Sequence, residues 1–182
     1  SIYAIGHFDS TGSAKVNHIA RWDGKYWDDI GGGPTIRGYD LNIPTKIAVI
    51  DSFIYLQGDN LYGYSRFWIW DGLNWKVMEG LFGFDTSTYH PLDFYASVSG
   101  LTSIGKDLYI CGTFDSVDGV YAPRLARWDG ISWSRVGNYE VTKYPNDGIR
   151  IIQAVGHRLY VSTSKSLSSA SFIINNDTLS DG

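Results

Sequence analysis

The sequence predicts an all-β chain built from several units of four short antiparallel strands, and three observations support this prediction. The motif Trp-Asp-Gly-x-x-Trp occurs three times. A second signature, a Tyr followed three residues later by Gly, recurs with it, and its tyrosines are separated by 52, 54 and 51 residues once a degenerate fourth copy is included. Aromatic residues make up 15% of the chain, and the 182 residues include 21 glycines, which is typical of strands joined by many turns.

The Trp-Asp-Gly motif has a backbone explanation. Glycine adopts positive φ without steric cost, and an aspartate side chain can accept a hydrogen bond from the backbone two residues further on, so the pair favours a tight hairpin turn. We expect the flanking tryptophans to pack against each other or against the next unit, with sugar stacking as the functional alternative. The motif residues are Trp22, Asp23, Gly24 and Trp27, then Trp70, Asp71, Gly72 and Trp75, and finally Trp128, Asp129, Gly130 and Trp133.

The third copy shows most clearly how the strands follow one another, and we name its four strands a to d in chain order. We predict them at residues 101–104, 108–112, 124–128 and 132–136, with short turns between a and b and between c and d. The four copies cover approximately residues 1–31, 45–80, 99–137 and 149–182. The first copy lacks strand a, and the fourth has no clear strand d, since Asn175-Asn176-Asp177 stands where Trp-Asp-Gly would be.

A four-stranded unit of about 50 residues cannot bury both of its faces alone, so the copies must stack. Radial stacking gives a β-propeller, and linear stacking gives a solenoid. Units of four antiparallel strands with aromatic residues at recurring positions favour β-propeller blades over a solenoid, because solenoid repeats are usually shorter and many carry helices. Since both terminal copies are incomplete and do not complement each other, we expect the chain to be part of a larger propeller.

Four stretches resemble a known repeat: residues 19–24 and 125–130 around the Trp-Asp-Gly motif, and residues 6–10 and 112–116 after strand b. They look like the kelch-like repeats of galactose-oxidase-type propellers, and are similar to those of fungal cortical polarity-marker proteins and of large secreted surface proteins. The resemblance implies a β-propeller, extracellular or cell-surface display, and a recognition or scaffolding role without shared catalytic residues. The second copy departs from the pattern at Asp59-Asn60.

Two other repeat families fit less well. WD40 repeats also end strand c with Trp-Asp, but their period of about 40–45 residues is shorter than the spacing found here. The Asp boxes of sialidases place one residue between Asp and Gly, whereas the two are adjacent in this chain.

The connections between strands b and c and between strands d and a vary in length, and in a propeller they share one face. Loops of varied length on a rigid scaffold are where function usually lies. The loop at residues 80–98 is the longest and carries several aromatics, which would form a contact surface unless they fold back on their own small core. The predicted binding residues are Tyr39, Phe84, Tyr89, His90, Tyr95 and Tyr121.

Charge and motif content argue against several classes of function. The formal net charge of −4 and the lack of a Lys/Arg run argue against nucleic-acid binding, and no apolar stretch is long enough to span a membrane. The histidines show no metal-ligand spacing, and residues 115–119 lack the full set of oxygen ligands of a calcium loop. We therefore predict no catalytic residue, metal or cofactor. Asn176 is the acceptor of the one Asn-x-Ser/Thr sequon, and Cys111 is expected in the core.

These observations lead to three expectations for function. The first is a non-catalytic structural or recognition module of a larger extracellular or cell-surface protein, whose partners are neighbouring blades or a second protein. The second is a carbohydrate-binding propeller that uses loop aromatics. The third is a glycan-active or oxidase enzyme with its active site on the loop face, which would require clustered carboxylates or metal ligands.

Overall fold

A computed structural model describes residues 1–12, 14–34, 43–59, 65–78, 82–83, 97–137, 148–163, 172–175 and 178–181. These residues form strands and turns and contain no helix, so the prediction of an all-β chain is confirmed. It follows that the described residues include no apolar helix of membrane-spanning length. The chain divides into two compact units, Ser1–Glu79 and Gly80–Gly182, which we describe separately.

The first unit contains one three-stranded and one four-stranded antiparallel sheet. The sheets have the strand orders β1-β4-β5 and β6-β7-β8-β9, and the short hairpin β2-β3 connects β1 to β4. The strands are β1 (Ile2–Ile5), β2 (Ser10–Thr11), β3 (Ala14–Lys15), β4 (Ile19–Trp22), β5 (Trp27–Asp29), β6 (Ile43–Ile50), β7 (Phe53–Asp59), β8 (Ser65–Trp70) and β9 (Trp75–Met78).

The second unit contains a four-stranded antiparallel sheet, β11-β12-β15-β16, a three-stranded sheet, β10-β13-β14, and the pairs β17-β18 and β19-β20. Strand β17 lies against β11. The strands are β10 (Phe82–Gly83), β11 (Val98–Ile104), β12 (Asp107–Gly112), β13 (Ser116–Val117), β14 (Val120–Tyr121), β15 (Leu125–Trp128), β16 (Trp133–Arg135), β17 (Ile149–Val155), β18 (Arg158–Thr163), β19 (Phe172–Asn175) and β20 (Thr178–Asp181).

The register between strands b and c is the same in the first three copies. In each one, the first tryptophan of the motif pairs with the residue just before the signature tyrosine, and it also pairs with the second tryptophan across the turn. The b–c pairs are Ile2 with Trp22, Ile54 with Trp70 and Leu108 with Trp128. The periodic sequence signature therefore corresponds to one strand register.

Strand a differs most from its predicted bounds. In the third copy it begins at Val98 rather than at residue 101, and its pairing with strand b shifts between Val98 and Gly100. Strand a of the second copy shifts register between Pro44 and Lys46, and that of the fourth between Ile149 and Ile151. A register shift interrupts the simple alternation of buried and exposed side chains, so the pattern that locates a strand in a sequence is lost there.

The fourth copy contains a hairpin that is not predicted from the sequence. Strand β20 pairs with β19, with Asn175 opposite Thr178, in place of the missing strand d. The two residues between them in the sequence are Asn176 and Asp177, types that favour tight hairpin connections even without glycine.

In the second and third copies, the glycine that ends the Tyr-x-x-Gly signature is explained by a close approach between strand b and the start of strand a. A side-chain carbon at Gly58 would collide with the carbonyl oxygen of Ile43, and one at Gly112 would collide with that of Ser97. Only glycine lets the two paired backbones approach each other this closely, because the side chain of any other residue would push them apart.

In each unit, the buried side chains come from two copies. In the first unit, Ile19 and Ile30 of the first copy contact a group from the second copy, namely Ile54, Leu56 and Trp68. In the second unit, the cluster combines Tyr109, Cys111, Leu125 and Val136 of the third copy with Ile149, Ile152, Leu159 and Val161 of the fourth. Cys111 is fully buried in this cluster, as the sequence predicts.

We expect Leu56→Ala to lower the free energy of unfolding by about 2–5 kcal/mol, because Leu56 is 0% exposed in the cluster shared by two copies. The matched control is Leu73→Ala, which removes the same atoms from a turn residue that is 82% exposed and should change stability by less than about 0.5 kcal/mol. Urea titration followed by circular dichroism measures both. Equal losses in the two variants would contradict the assignment of the core.

Candidate binding loops

The b–c loops of the first copy (residues 6–18) and the third copy (residues 112–124) have the same backbone framework. Each residue of the first loop has its counterpart 106 positions later. Three backbone hydrogen bonds fix each loop: from Gly6 N to His18 O, His18 N to Phe8 O and Val16 N to Asp9 O in the first copy, and from Gly112 N to Arg124 O, Arg124 N to Phe114 O and Ala122 N to Asp115 O in the third. Each loop also contains a short hairpin, β2-β3 or β13-β14.

Both loops end in a residue with left-handed backbone geometry. His18 has φ of 62° and Arg124 has φ of 66°, a region that costs free energy for residues other than glycine. The hydrogen bonds that each of these two residues donates and accepts with its backbone groups hold the conformation in place. The shared geometry turns the chain into strand c at the same point in both copies.

The side chains on this shared framework differ, and in the third copy they form a buried ion pair. The Nη1 atom of Arg124 donates to Asp115 Oδ1 over 2.9 Å and to the carbonyl oxygen of Phe114 over 3.2 Å. The side chain of Arg124 is 0% exposed and that of Asp115 is 6% exposed, while Phe114 is fully buried. Charges removed from water to this extent need such pairing, so we expect the pair to hold the loop in one conformation.

The corresponding positions in the first copy form an open hollow instead. His7, Phe8, Asp9 and His18 line a volume of about 240 Å³. The rings of His7 and His18 stack with their centroids 5.6 Å apart, and Nδ1 of His18 lies 3.1 Å from the carbonyl oxygen of Gly6, to which it donates when it carries a proton. The same framework thus presents imidazole groups and a carboxylate where the third copy is closed.

A second hollow of about 370 Å³ lies beside strand β2 of the first copy. Its surface is mostly apolar, and the hydroxyl oxygen of Thr11 is shielded from water without a hydrogen-bond partner among the described residues. The residues that line it are Ala4, Phe8, Ser10, Thr11, Gly12 and Trp27. An apolar surface with one unsatisfied hydroxyl is suited to binding a ligand that supplies a polar group.

The three Trp-Asp-Gly turns have the geometry that the motif predicts. In each turn, Oδ1 of the aspartate accepts from the backbone N–H groups two and three residues ahead, over 2.7–3.0 Å. The glycines that follow have φ of 108°, 95° and 97°. These bonds stabilise the ionised carboxylate, so the N–H groups of Tyr26 and Lys25 lower the pKa of Asp23, and those of Ser132 and Ile131 lower the pKa of Asp129.

Asp71 also interacts with a lysine. Its Oδ2 lies 2.8 Å from Nζ of Lys76, and this contact, together with the N–H groups of Asn74 and Leu73, holds the pKa of Asp71 far below its usual value. In all three turns the carboxylate therefore accepts hydrogen bonds from the hairpin backbone, which explains why the motif contains aspartate.

The tryptophans of each motif pack against each other, with ring centroids 5.2–5.5 Å apart in tilted arrangements. The second pair also contacts the neighbouring copy. Nε1 of Trp75 donates to the carbonyl oxygen of Ile30 over 2.7 Å, and Trp70 covers Gly31 so closely that a side chain there would collide with its ring. Both forms of packing expected from the sequence are present at this pair.

Of the predicted binding residues, Tyr121 lies within the described part of the chain. It is 56% exposed on strand β14, and the guanidinium carbon of Arg135 lies 5.6 Å from the centre of its ring. The guanidinium group can hold the ring in place while leaving much of it accessible. The predicted binding residues Tyr39, Phe84, Tyr89, His90 and Tyr95 and the sequon residue Asn176 lie outside the described residues.

The sequence alone does not indicate that Asp115 pairs with Arg124, or that His7 and Asp9 lie beside His18. Each set joins residues near the two ends of a loop, and the recurring stretches at residues 6–10 and 112–116 cover only the first of those ends. The one signal was the gap-free spacing of 106 residues between the two loops, which aligns His18 with Arg124 and Asp9 with Asp115. In the part of the chain that the structure describes, no three His, Cys, Asp or Glu side chains lie together as metal ligands would.

Neither the known protein families nor the curated proteins include a match to this chain.

We expect Asp115→Ala to lower the free energy of unfolding by about 3–5 kcal/mol, because it leaves the Arg124 guanidinium buried without its carboxylate. Asp28→Ala is the matched control. It removes the partner of Arg21 from a half-exposed ion pair with an N–O distance of 3.6 Å and should cost less than about 1 kcal/mol. Guanidinium unfolding curves give both values, and a loss below 1 kcal/mol for Asp115→Ala would show that the pair does not fix the loop.

The triple variant D23N/D71N/D129N should lose less stability in acid than the wild type. Because the folded state lowers these pKa values from 3.8, each carboxylate stabilises the fold above that pH, and the contribution disappears as the pH falls through the lowered values. Urea unfolding from pH 6 down to pH 2 tests this. An identical fall in stability for the two proteins would mean that the turns do not contribute to acid sensitivity.

Proposed function

We propose that the chain forms β-propeller blades and acts as a non-catalytic structural or recognition module of a larger extracellular or cell-surface protein. Its b–c and d–a loops would contact a protein partner. The observation that carries the proposal is the pair of b–c loops, which keep the same three backbone hydrogen bonds and a left-handed residue at the same position, while nine of their thirteen residues differ. A constant framework with variable side chains is typical of surfaces that have diversified for recognition.

The propeller arrangement is supported by the packing inside each unit. Two successive copies share one cluster of buried side chains in each unit, as stacked blades do. In the second unit, strand a of the third copy also lies against strand a of the fourth, and in blades arranged around an axis these are the innermost strands. The extracellular or cell-surface location rests on the resemblance of the repeats to those of secreted surface proteins.

A non-catalytic role is supported by five of the described carboxylates, which are engaged by neighbouring groups of the chain. Asp115 pairs with Arg124, Asp107 pairs with Arg127 over 2.9 Å, and the three turn aspartates accept backbone hydrogen bonds. Each of these groups stabilises the local fold, and general acid–base chemistry would require carboxylates directed at a substrate.

Photo-crosslinking tests the proposal in the full-length protein in its native host. A benzoyl-phenylalanine in place of Tyr121, on the proposed contact face, should give a discrete adduct with another polypeptide. The matched control places the same group at Ile131, which is 87% exposed in the c–d turn and should give none.

Two results would contradict the protein-contact role. One is a lack of any adduct at position 121. The other is binding to a defined sugar on a glycan array that is lost in Tyr121→Ala, which would support the carbohydrate-binding alternative.

A further inference from the structure

Four Asp-Gly pairs lie within the described residues, at 23–24, 71–72, 118–119 and 129–130. An aspartate that precedes glycine can react with its own backbone, because the nitrogen of a glycine is approached more easily than that of a residue with a side chain. The nitrogen attacks the side-chain carboxyl carbon to form a five-membered succinimide ring, and hydrolysis of the ring gives aspartate or isoaspartate. The chain therefore presents the same reactive dipeptide in two structural settings.

In three of the pairs, the carboxylate is held by a c–d turn. Oδ1 of Asp23, Asp71 and Asp129 accepts from the backbone N–H groups two and three residues ahead. These bonds must break before the carboxyl carbon can turn towards the nitrogen of the next residue. They also lower the pKa of each carboxyl, whereas the carboxyl must be protonated for its hydroxyl to leave as water. Both effects slow the reaction in these turns.

The fourth pair forms the turn of the hairpin β13-β14 in the b–c loop of the third copy. Asp118 and Gly119 are the two residues between Val117 and Val120, and their φ angles of 47° and 76° are both positive, as a type I′ turn requires. Both residues are exposed. Among the described residues, the carboxylate of Asp118 has no hydrogen-bond or ion-pair partner.

The space around this turn is open on the side of the attacking nitrogen. No atom of the described residues lies within 4 Å of the position that a Cβ of Gly119 would take. The carboxyl group of Asp118 can therefore turn towards the nitrogen of Gly119 without breaking a contact in the described part of the chain.

The turn can also accommodate the ring. Ring closure fixes the ψ of Asp118 and rotates the peptide plane between Asp118 and Gly119, which converts a type I′ turn into a type II′ turn. A type II′ turn keeps φ positive at its first central residue and also fits a two-residue hairpin, and glycine tolerates the change at the second residue. The left-handed φ of Asp118, which is costly for an ordinary aspartate, is thus retained in the ring.

We propose that Asp118 is a site of spontaneous modification, at which aspartate is converted to isoaspartate. The nitrogen of Gly119 forms a bond to the carboxyl carbon of Asp118, and its proton leaves with the carboxyl hydroxyl as water. Water then breaks the bond between that nitrogen and the main-chain carbonyl carbon of Asp118. The main chain afterwards runs through the former side chain, and water is the only other reactant.

The modification would alter the proposed contact surface. Isoaspartate adds one carbon to the main chain of the turn, so the turn no longer matches the two-residue hairpin that pairs Val117 with Val120 and Ser116 with Tyr121. Tyr121 is the predicted binding residue within the described part of the chain, and its position depends on this hairpin. The modification itself does not depend on the proposed function, whereas its effect on binding does.

Long incubation of the intact chain at pH 6, followed by brief trypsin digestion and mass spectrometry with electron-transfer fragmentation, tests the proposal. Trypsin should release the four pairs in separate peptides, namely residues 22–25, 67–76, 107–124 and 128–135. Relative to a fresh sample, isoaspartate should accumulate at Asp118 at least about tenfold faster than at each turn aspartate. The matched control is the same chain incubated in urea, where the four pairs lose their structure and should react at similar rates.

Two asparagine variants test the geometry through a change in mass. Asp118→Asn keeps the type I′ turn, which asparagine followed by glycine favours, and forms the same ring with loss of ammonia. Asp129→Asn is the matched control, because its amide oxygen can still accept the two backbone hydrogen bonds of the c–d turn. Asp118→Asn should deamidate at least about tenfold faster than Asp129→Asn in the folded chain.

Three outcomes would overturn the proposal. One is isoaspartate at Asp118 in urea but none in the folded chain. Another is a folded chain in which the turn aspartates react as fast as Asp118, and the third is equal deamidation of the two asparagine variants. The incubation experiment leaves the protein unaltered, so it decides the question even if a variant does not fold. Isoaspartate at Asp118 without any adduct at position 121 would refute the proposed function and leave this proposal standing.

Discussion

The structure depends on the inability of a small sheet of short strands to bury both of its faces alone. In both units, apolar side chains of one copy's main sheet are buried against those of the neighbouring copy. Trp68 and Leu56 of the second copy are fully buried against Ile19 of the first, and Cys111 of the third copy lies in one cluster with Leu159 of the fourth. Stacking therefore stabilises each copy through its neighbour.

This dependence separates the positions that must stay constant from those that can vary. The turn aspartates, the paired tryptophans and the close-approach glycines at 58 and 112 hold the strands in register, and each serves a backbone or packing need. The b–c loops connect strands of this framework, and each loop is held by backbone hydrogen bonds of its own. The third copy has a buried Arg124–Asp115 pair, whereas the first has His18 in place of the arginine and an open hollow beside Asp9. The framework is thus compatible with loops of different chemistry.

The elements that could be predicted from the sequence are those whose cause is local. The Trp-Asp-Gly turn is specified by adjacent residues, so its hydrogen bonds, positive φ and tryptophan contact agree with expectation. The full length of strand a could not be predicted, because its register shifts depend on the strand beside it. Strand β10 has only two residues, and what defines it is a partner strand 33 to 35 positions further along the chain.

The candidate site was predictable only in outline. The b–c loops were identified as variable, and exposed Tyr121 lies on one of them. The left-handed geometry of His18 and the burial of Arg124 arise from contacts across a loop of more than ten residues, and single-residue preferences oppose both. Such features become visible once two loops of one chain are compared position by position.

Hydrogen exchange of Ile19→Ala tests most directly whether neighbouring copies stabilise each other. Ile19 lies on β4 of the first copy and contacts the buried cluster of the second. If the copies depend on each other, the substitution should speed exchange at the amides of β7 and β8 as well as at those of β1, β4 and β5. Faster exchange confined to β1, β4 and β5, with β7 and β8 at wild-type rates, would contradict the account.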